Sequence, residues 1–383
     1  MKVPILLSVP AIALIVLVLW EAFEVILLPR RVTRRYRFTR FFYRNAWRIW
    51  SAVFRSISKG GRQETFLSYF GPLSLLLLLS IWAYGLIVGF ALLHWSLGSP
   101  IRTPEGTAGF STDLYLSATT FFTLGLGDVT PVAPLARVFT AVEAGLGFGF
   151  LALLFAYLPA LNQSISRREV NISLLDARAG SPPTAAEMLR RRCHDSDNME
   201  TLLQHLSEWE RWAAELLESH LSYPVLAYFR SHHDNQSWLA AITAILDTSA
   251  FVVSYMEGSC ARQAMLTFAM ARHAVVDISL IFGRAPFNPK RDRLTPEELT
   301  ELRTALASAG LPLREGDEAE KELTELRQMY EPYVNALSQH FQLPVPPWIP
   351  ESHRRDNWEM SAWERRKRLQ KTERAGKEED EHF

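Results

Sequence analysis

Three apolar runs, Pro4 to Leu28, Gly71 to Trp95 and Leu135 to Pro159, limit what this chain can become. Each is longer than the ~20 residues with which a helix crosses the hydrocarbon core of a bilayer. The second carries no Asp, Glu, Lys or Arg, and the third only Arg137 and Glu143; Glu21 and Glu24 interrupt the first near its far end. A cleaved signal peptide is the competing reading of the first run, but it passes into Pro29-Arg30-Arg31 with no small-residue cleavage site, so a retained span is expected. Composition hides this division. The chain of 383 residues holds 41 acidic and 41 basic side chains, a balance that averages an apolar N-terminal part with a charged remainder. Its two cysteines, Cys193 and Cys260, both lie in that remainder, which argues against a disulfide framework.

The loops set an orientation. Residues 29–63 contain eleven Lys or Arg and no acid, whereas residues 96–134 contain Arg102 against Glu105, Asp113 and Asp128. The positive-inside rule then puts the N-terminus outside, residues 29–63 in the cytoplasm and 96–134 outside, in a multi-pass protein of the cell membrane. The third helix returns inward and leads to Arg167 and Arg168. Within the basic segment, Arg37, Arg40, Arg44, Arg48 and Arg55 recur at helical spacing, while Phe42, Ile49, Trp50, Val53 and Ile57 gather on another side. Such a helix suits the inner leaflet, with aromatics in the acyl boundary and Arg37, Arg40, Arg44 and Arg48 among anionic lipid headgroups. A solvated loop whose arginines serve topology alone is the blander alternative. Glu21 and Glu24, three apart on one helix face, are expected to pair with Arg30, Arg31 or Arg34.

Between the second and third runs stands "TTFFTLGLGDVTP", Thr119 to Pro131. Ser111 to Phe122 reads as a helix too short to span, one that dips into the outer half of the membrane and stops. Non-helical backbone at that depth is tolerated only when buried in protein or facing a water-filled path. Gly125 and Gly127, at alternate positions, allow dihedrals with which successive carbonyls face one side. Thr123 adds its carbonyl and hydroxyl, and such carbonyl rings can replace the water shell of a cation.

These residues, Thr123-Leu124-Gly125-Leu126-Gly127-Asp128 preceded by Thr119-Thr120 and followed by Pro131, resemble the potassium-channel pore signature T-x-G-[YFL]-G-D. The resemblance to bacterial two-transmembrane channels of the pore-loop superfamily covers about residues 66–160. It implies a selectivity filter at Thr123, Leu124, Gly125, Leu126 and Gly127, with Asp128 at its outer mouth and potassium as the permeant ion. It also implies a homotetramer, since one loop per chain cannot close a ring. No other cofactor or resident metal is implied. Leu124 and Leu126 stand where Val and Tyr are commonest; some second pores of tandem-pore channels also carry Leu at the aromatic position. Leu126 lacks the hydroxyl with which that tyrosine tethers the filter, which implies weaker selectivity or easier collapse. Arg137 falls where related channels often carry a basic residue, and Gly147 aligns with their gating-hinge glycine. Close packing through Gly145, Gly147 and Gly149 is the alternative. Glu143, an acid midway along a membrane helix, either attracts cations in the inner vestibule or bonds to Thr119, Thr120 or another pore-helix group. The bond is favoured, because intramembrane acids commonly find protein partners.

Residues 164–383 show helical periodicity. Thr184 caps a helix after Pro182-Pro183, and Trp209, Trp212, Leu216 and Leu217 make an apolar stripe on the next. Trp238 to Met256 and Ala261 to Phe282 read as core helices, because Asp247, Glu257, Arg272, His273 and Asp277 punctuate them. Thr295-Pro296-Glu297-Glu298 is a capping box, and a charged helix runs from Glu318 to Phe341. His220, His232, His233, Asp234, His273 and Asp277 match no zinc spacing, so satisfied polar residues are the expected reading. Neither a nucleophile elbow nor paired catalytic carboxylates nor a phosphate loop occurs, so nothing positive supports an enzyme.

The expectation is an all-α integral membrane protein with three transmembrane helices, one re-entrant pore helix and filter, and a soluble α-helical C-terminal domain. Its expected parts are a transmembrane helix and basic linker at 1–63, a pore domain at 64–163, a cytoplasmic helical domain at 164–350 that regulates or assembles the channel, and a charged tail at 351–383. A non-conducting, channel-like membrane scaffold whose helical domain binds a partner is the alternative.

Overall fold

The computed structural model describes residues 5–28, 37–57, 61–104, 106, 108–191, 198–231, 235–289, 291–350, 356 and 359. Among the described residues, regular structure is helical apart from one pair of two-residue strands. They fall into two compact units, Met1–Ser164 and Ile165–Phe383.

In the first unit, the apolar runs form α1 (Ser8–Ile26), α4 (Phe70–Ser96) and the start of α6 (Pro134–Ala179). α1 packs along α4 at two glycines one turn apart. A Cβ on Gly85 would lie 3.0 Å from Val18, and one on Gly89 only 2.6 Å from Ile15. Small residues let the backbones of two evenly apolar helices approach closely. The other side of α1, with Val9, Ile12, Val16 and Trp20, is exposed.

The end of α1 organises α2 (Phe38–Ile57). Glu21 accepts hydrogen bonds from Phe38 N at 3.2 Å, Thr39 N at 3.2 Å and Thr39 Oγ1 at 2.9 Å. Its carboxylate thereby satisfies first-turn amides and meets the positive end of the helix dipole. Glu24 pairs with Arg37 at 3.3 Å; Arg30, Arg31 and Arg34, the expected partners, lie outside the described residues. The expected aromatic face of α2 divides. Ile49 and Val53 are exposed, but Trp50 donates from Nε1 to Phe66 O at 3.1 Å, and Trp47 stacks edge-on to Phe70 at 4.9 Å. An indole carries a donor that needs an acceptor, and α3 (Gly61–Ser68) supplies one.

α5 (Phe110–Phe121) is the short helix between the second and third runs. On either side of it, β1 (Ile101–Arg102) pairs antiparallel with β2 (Thr130–Pro131). The third apolar run ends at Pro159, but α6 continues past it, for 46 residues in all, to Ala179. A proline inside a helix removes one backbone bond, yet no further proline or glycine occurs until Gly180. That glycine, at φ 84°, sits where a left-handed residue commonly closes a helix.

The second unit contains α7 (Ala185–Arg190), α8 (Asn198–Ser222), α9 (Trp238–Tyr255), α10 (Gly258–Ile281), α11 (Pro296–Ser308) and α12 (Asp317–Phe341). Thr184 caps α7, and Thr295 with Glu298 forms the capping box of α11. The stripe of Trp209, Trp212, Leu216 and Leu217 is buried. α9 is the hub, every residue of it buried, and α7, α10 and α12 pack against it. Its one acid, Asp247, accepts from Arg293 Nη2 at 2.6 Å and Nη1 at 3.2 Å, and from the Tyr330 hydroxyl. Burial works against the Arg293 charge, but Asp247, Tyr330 and Glu331 hold its pKa above the ordinary arginine value. Trp348 of the proline-rich segment is buried and its carbonyl accepts from Ala186 N at 3.1 Å. Of the charged tail, Asp356 pairs with Arg191 at 2.6 Å. By length and composition alone, α9 and α10 join α1, Gln63–Ser96 and α6 as helices able to cross a membrane.

Candidate functional site

After Phe121 the chain leaves α5 as a strip, residues 122–128, exposed throughout in the single chain. The last turn of α5 fixes its base. Thr123 N donates to Thr120 O at 2.9 Å, and the Thr119 carbonyl receives both Leu124 N at 2.8 Å and Gly125 N at 3.4 Å. φ is positive at Thr123 (57°), Gly125 (54°) and Gly127 (80°), and at neither leucine between them. In an ordinary strand successive residues face opposite ways. Alternation between the two halves of φ space allows successive carbonyls to face one side instead. Gly125 and Gly127 adopt this at no steric cost. Leu124 and Leu126, 62% and 64% exposed, have little cover from their own chain.

The residues singled out around the strip have definite places. Asp128, at the far end of the strip, accepts from the Tyr115 hydroxyl at 2.9 Å. Glu143 is fully buried, and Ser117 Oγ donates to its Oε1. Thr119 is not its partner: its hydroxyl donates back to Tyr115 O and Leu116 O within α5, both at 3.0 Å. Gly147, one turn beyond Glu143, lies against the Phe121 carbonyl, which a Cβ would strike; Gly145 and Gly149 have nothing within 4 Å of such an atom. Arg137 reaches back from α6, Nε to Pro131 O at 3.3 Å.

Two polar residues of α5, Tyr115 and Ser117, escape the sequence reading, and Asp113, counted there only as a loop charge, is buried and accepts from Ser99 Oγ. The available signal is the four-residue spacing of Asp113 and Ser117, which gives a short apolar helix one polar face.

On α2, Arg40, Arg44 and Arg48 are exposed beside Phe38, Phe41, Ile49 and Val53, and the Arg44 guanidinium lies 5.9 Å over the Phe41 ring. Arg37, grouped with them in the sequence, turns instead to Glu24.

Among the described residues, the histidines of the second unit do not converge. His273 and Asp277 pair at 3.1 Å, His232, His233 and Asp234 fall outside the described residues, and among those described no group of three or more potential ligands exists. His220 packs on Trp238 at 5.1 Å; burial, with the Arg168 charge nearby, pushes its pKa down to about 3. Cys260 is buried and donates to Met199 O at 3.2 Å.

The uncharacterised membrane protein YdjJ of Bacillus subtilis (strain 168) is 28% identical over 217 residues, which cover 55% of this chain and 60% of that relative. The chain thus spans less than two thirds of the length of that curated relative. No solved structure matches. Residues 76–163, from within α4 through α5 and the strip into α6, match the family model described as "Ion channel". This segment is therefore an ion-channel pore domain, carried by a multi-pass membrane protein.

Proposed function

We propose that the chain is one quarter of a homotetrameric, potassium-type cation channel, with Thr123, Leu124, Gly125, Leu126 and Gly127 as its selectivity filter. The observation that carries this reading is the alternation of positive φ at 123, 125 and 127. A strip built this way offers a file of carbonyl oxygens, and four files around an axis can take the place of a cation's hydration shell. The uncovered Leu124 and Leu126 suit a strip whose flanks are closed by neighbouring chains. Asp128 stands at the outer mouth, steadied by Tyr115, a tether that stands in for the hydroxyl Leu126 lacks. Gly147 is the point at which the inner helix packs on the pore helix and about which gating would turn.

α1, α4 and α6 are the three spans in this reading, with the N-terminus outside the cell membrane and the second unit cytoplasmic, where it assembles or regulates the pore. Full cover by protein favours α9 as a core helix of that unit, despite its span-like length. Arg40, Arg44 and Arg48 would meet anionic headgroups of the inner leaflet, where each basic residue contributes about 1 kcal/mol. The test is cation flux into liposomes holding the purified chain. Wild type should pass potassium in preference to sodium, and Gly125→Asp should pass neither; a wild-type protein that assembles but passes no cation refutes the proposal.

A further inference from the structure

We infer that the inner helix of each chain clamps the last turn of its own pore helix at two points, making Glu143, Ser117 and Gly147 positioning residues for ion selectivity. The inference rests on the channel reading above. Glu143 and Gly147 are four apart on α6, and Ser117 and Phe121 are four apart on α5, so one turn of each helix faces one turn of the other. At the first point Ser117 Oγ donates to Glu143 Oε1. At the second, Gly147 lets α6 close onto the Phe121 backbone, and the Phe150 ring lies 5.8 Å from that of Phe121.

The clamped turn is the one that holds the strip. Between Ser117 and Phe121 sits Thr119, whose single carbonyl receives the amides of Leu124 and Gly125. Glu143 therefore acts through Ser117 on the helix turn, and the turn acts through Thr119 on the filter backbone. α6 is unbroken at Gly147, so any displacement of α6 there must move the filter base or pull away from Phe121. Buried polar atoms left without partners are costly, and Glu143 Oε2 has none among the described residues. The Ser117 bond is what remains to orient this carboxyl group.

The experiment uses the full-length chain in liposomes and in detergent, as wild type, Ser117→Ala, Glu143→Leu, Glu143→Gln and the Ser117→Ala/Glu143→Leu pair. Reversal potentials in mixed potassium and sodium should show the permeability ratio falling about tenfold in either Ser117→Ala or Glu143→Leu, as loss of a buried hydrogen bond that leaves its partner unsatisfied allows. The pair should be no worse than either alone, because both remove one interaction. Glu143→Gln should recover much of the ratio lost in Glu143→Leu, since its amide oxygen can still accept from Ser117. Amide exchange at Leu124 and Gly125 should quicken in the two disruptive variants. Wild-type ratios and unchanged exchange in both would overturn the clamp. Should Glu143→Leu fail to assemble, Ser117→Ala, which removes one oxygen, decides alone. Should the wild type pass no cation, the channel reading fails, and exchange at Leu124 and Gly125 still decides the clamp.

Discussion

Alanine placed at four glycines of the pore segment should give two opposite outcomes. Gly145 and Gly149 lie in α6 with open space where a Cβ would go. There, glycine to alanine removes backbone freedom from the unfolded chain and gains about 0.5–1 kcal/mol per chain. Gly125 has equally open space, but its φ is 54°. A side chain in that left-handed region costs about 1–2 kcal/mol, incurred once in every copy. Gly147 is helical, so alanine suits its dihedrals, but the new carbon would strike the Phe121 carbonyl. Relief requires a backbone shift, and overpacking of this kind costs about 1–3 kcal/mol. Heated samples of the solubilised full-length protein, read by loss of the assembled peak in size-exclusion chromatography, should therefore rank Gly145→Ala and Gly149→Ala at or above wild type. Gly125→Ala and Gly147→Ala should both fall below it. Equal midpoints for Gly125→Ala and Gly145→Ala would show that the strip does not hold its left-handed turn. A Gly147→Ala protein as stable as Gly149→Ala would show that α6 does not touch Phe121.

The same structure makes three further predictions. Gly89→Leu should destabilise the protein to heat by about 1–3 kcal/mol through collision with Ile15, and Gly85→Ala by less; the reverse order would contradict the α1–α4 contact. Asp247→Leu leaves the Arg293 guanidinium buried without its two-point partner and should cost about 3 kcal/mol, the low end of the usual range because Glu331 and Pro346 O also hold it; calorimetry showing no loss would contradict this. His220 and His340 both have folded pKa values pushed to about 3, by burial first and then by Arg168 and Arg284 respectively. The unfolded chain, titrating near 6.5, takes up these protons first, so stability is complete above about pH 6.5 and declines as pH falls toward 3. The melting midpoint should drop between pH 7 and pH 5, and His340→Phe should flatten that slope.

The features legible in the sequence are those that depend on residues near one another in the chain. Run length locates α1, α4 and the start of α6, and turn chemistry locates the caps at Thr184 and Thr295. Short-range spacing also carries part of the strip, because alternate glycines permit the positive φ at 125 and 127, whereas the positive φ of Thr123, a conformation β-branched residues seldom adopt, is not legible. Contacts between distant residues are not legible. Nothing near Glu143 identifies Ser117, 26 residues away, as its partner rather than Thr119 or Thr120. The pairing of Gly85 and Gly89 with Val18 and Ile15 needs the rotation of two helices about their axes, which an evenly apolar run does not reveal. Trp50 carries no sign in the sequence that it serves the Phe66 carbonyl rather than lipid. Pro159 suggests an end, but the residues beyond it decide whether a helix can absorb the lost bond, and there the chain stays helical to Ala179.

A density map of the assembled particle in potassium tests the central claim most directly. Four chains should surround one axis, with the carbonyls of 123–127 turned inward and ion density between successive rings. A strip splayed from the axis, plugged by side chains, or lacking three symmetry mates would contradict it.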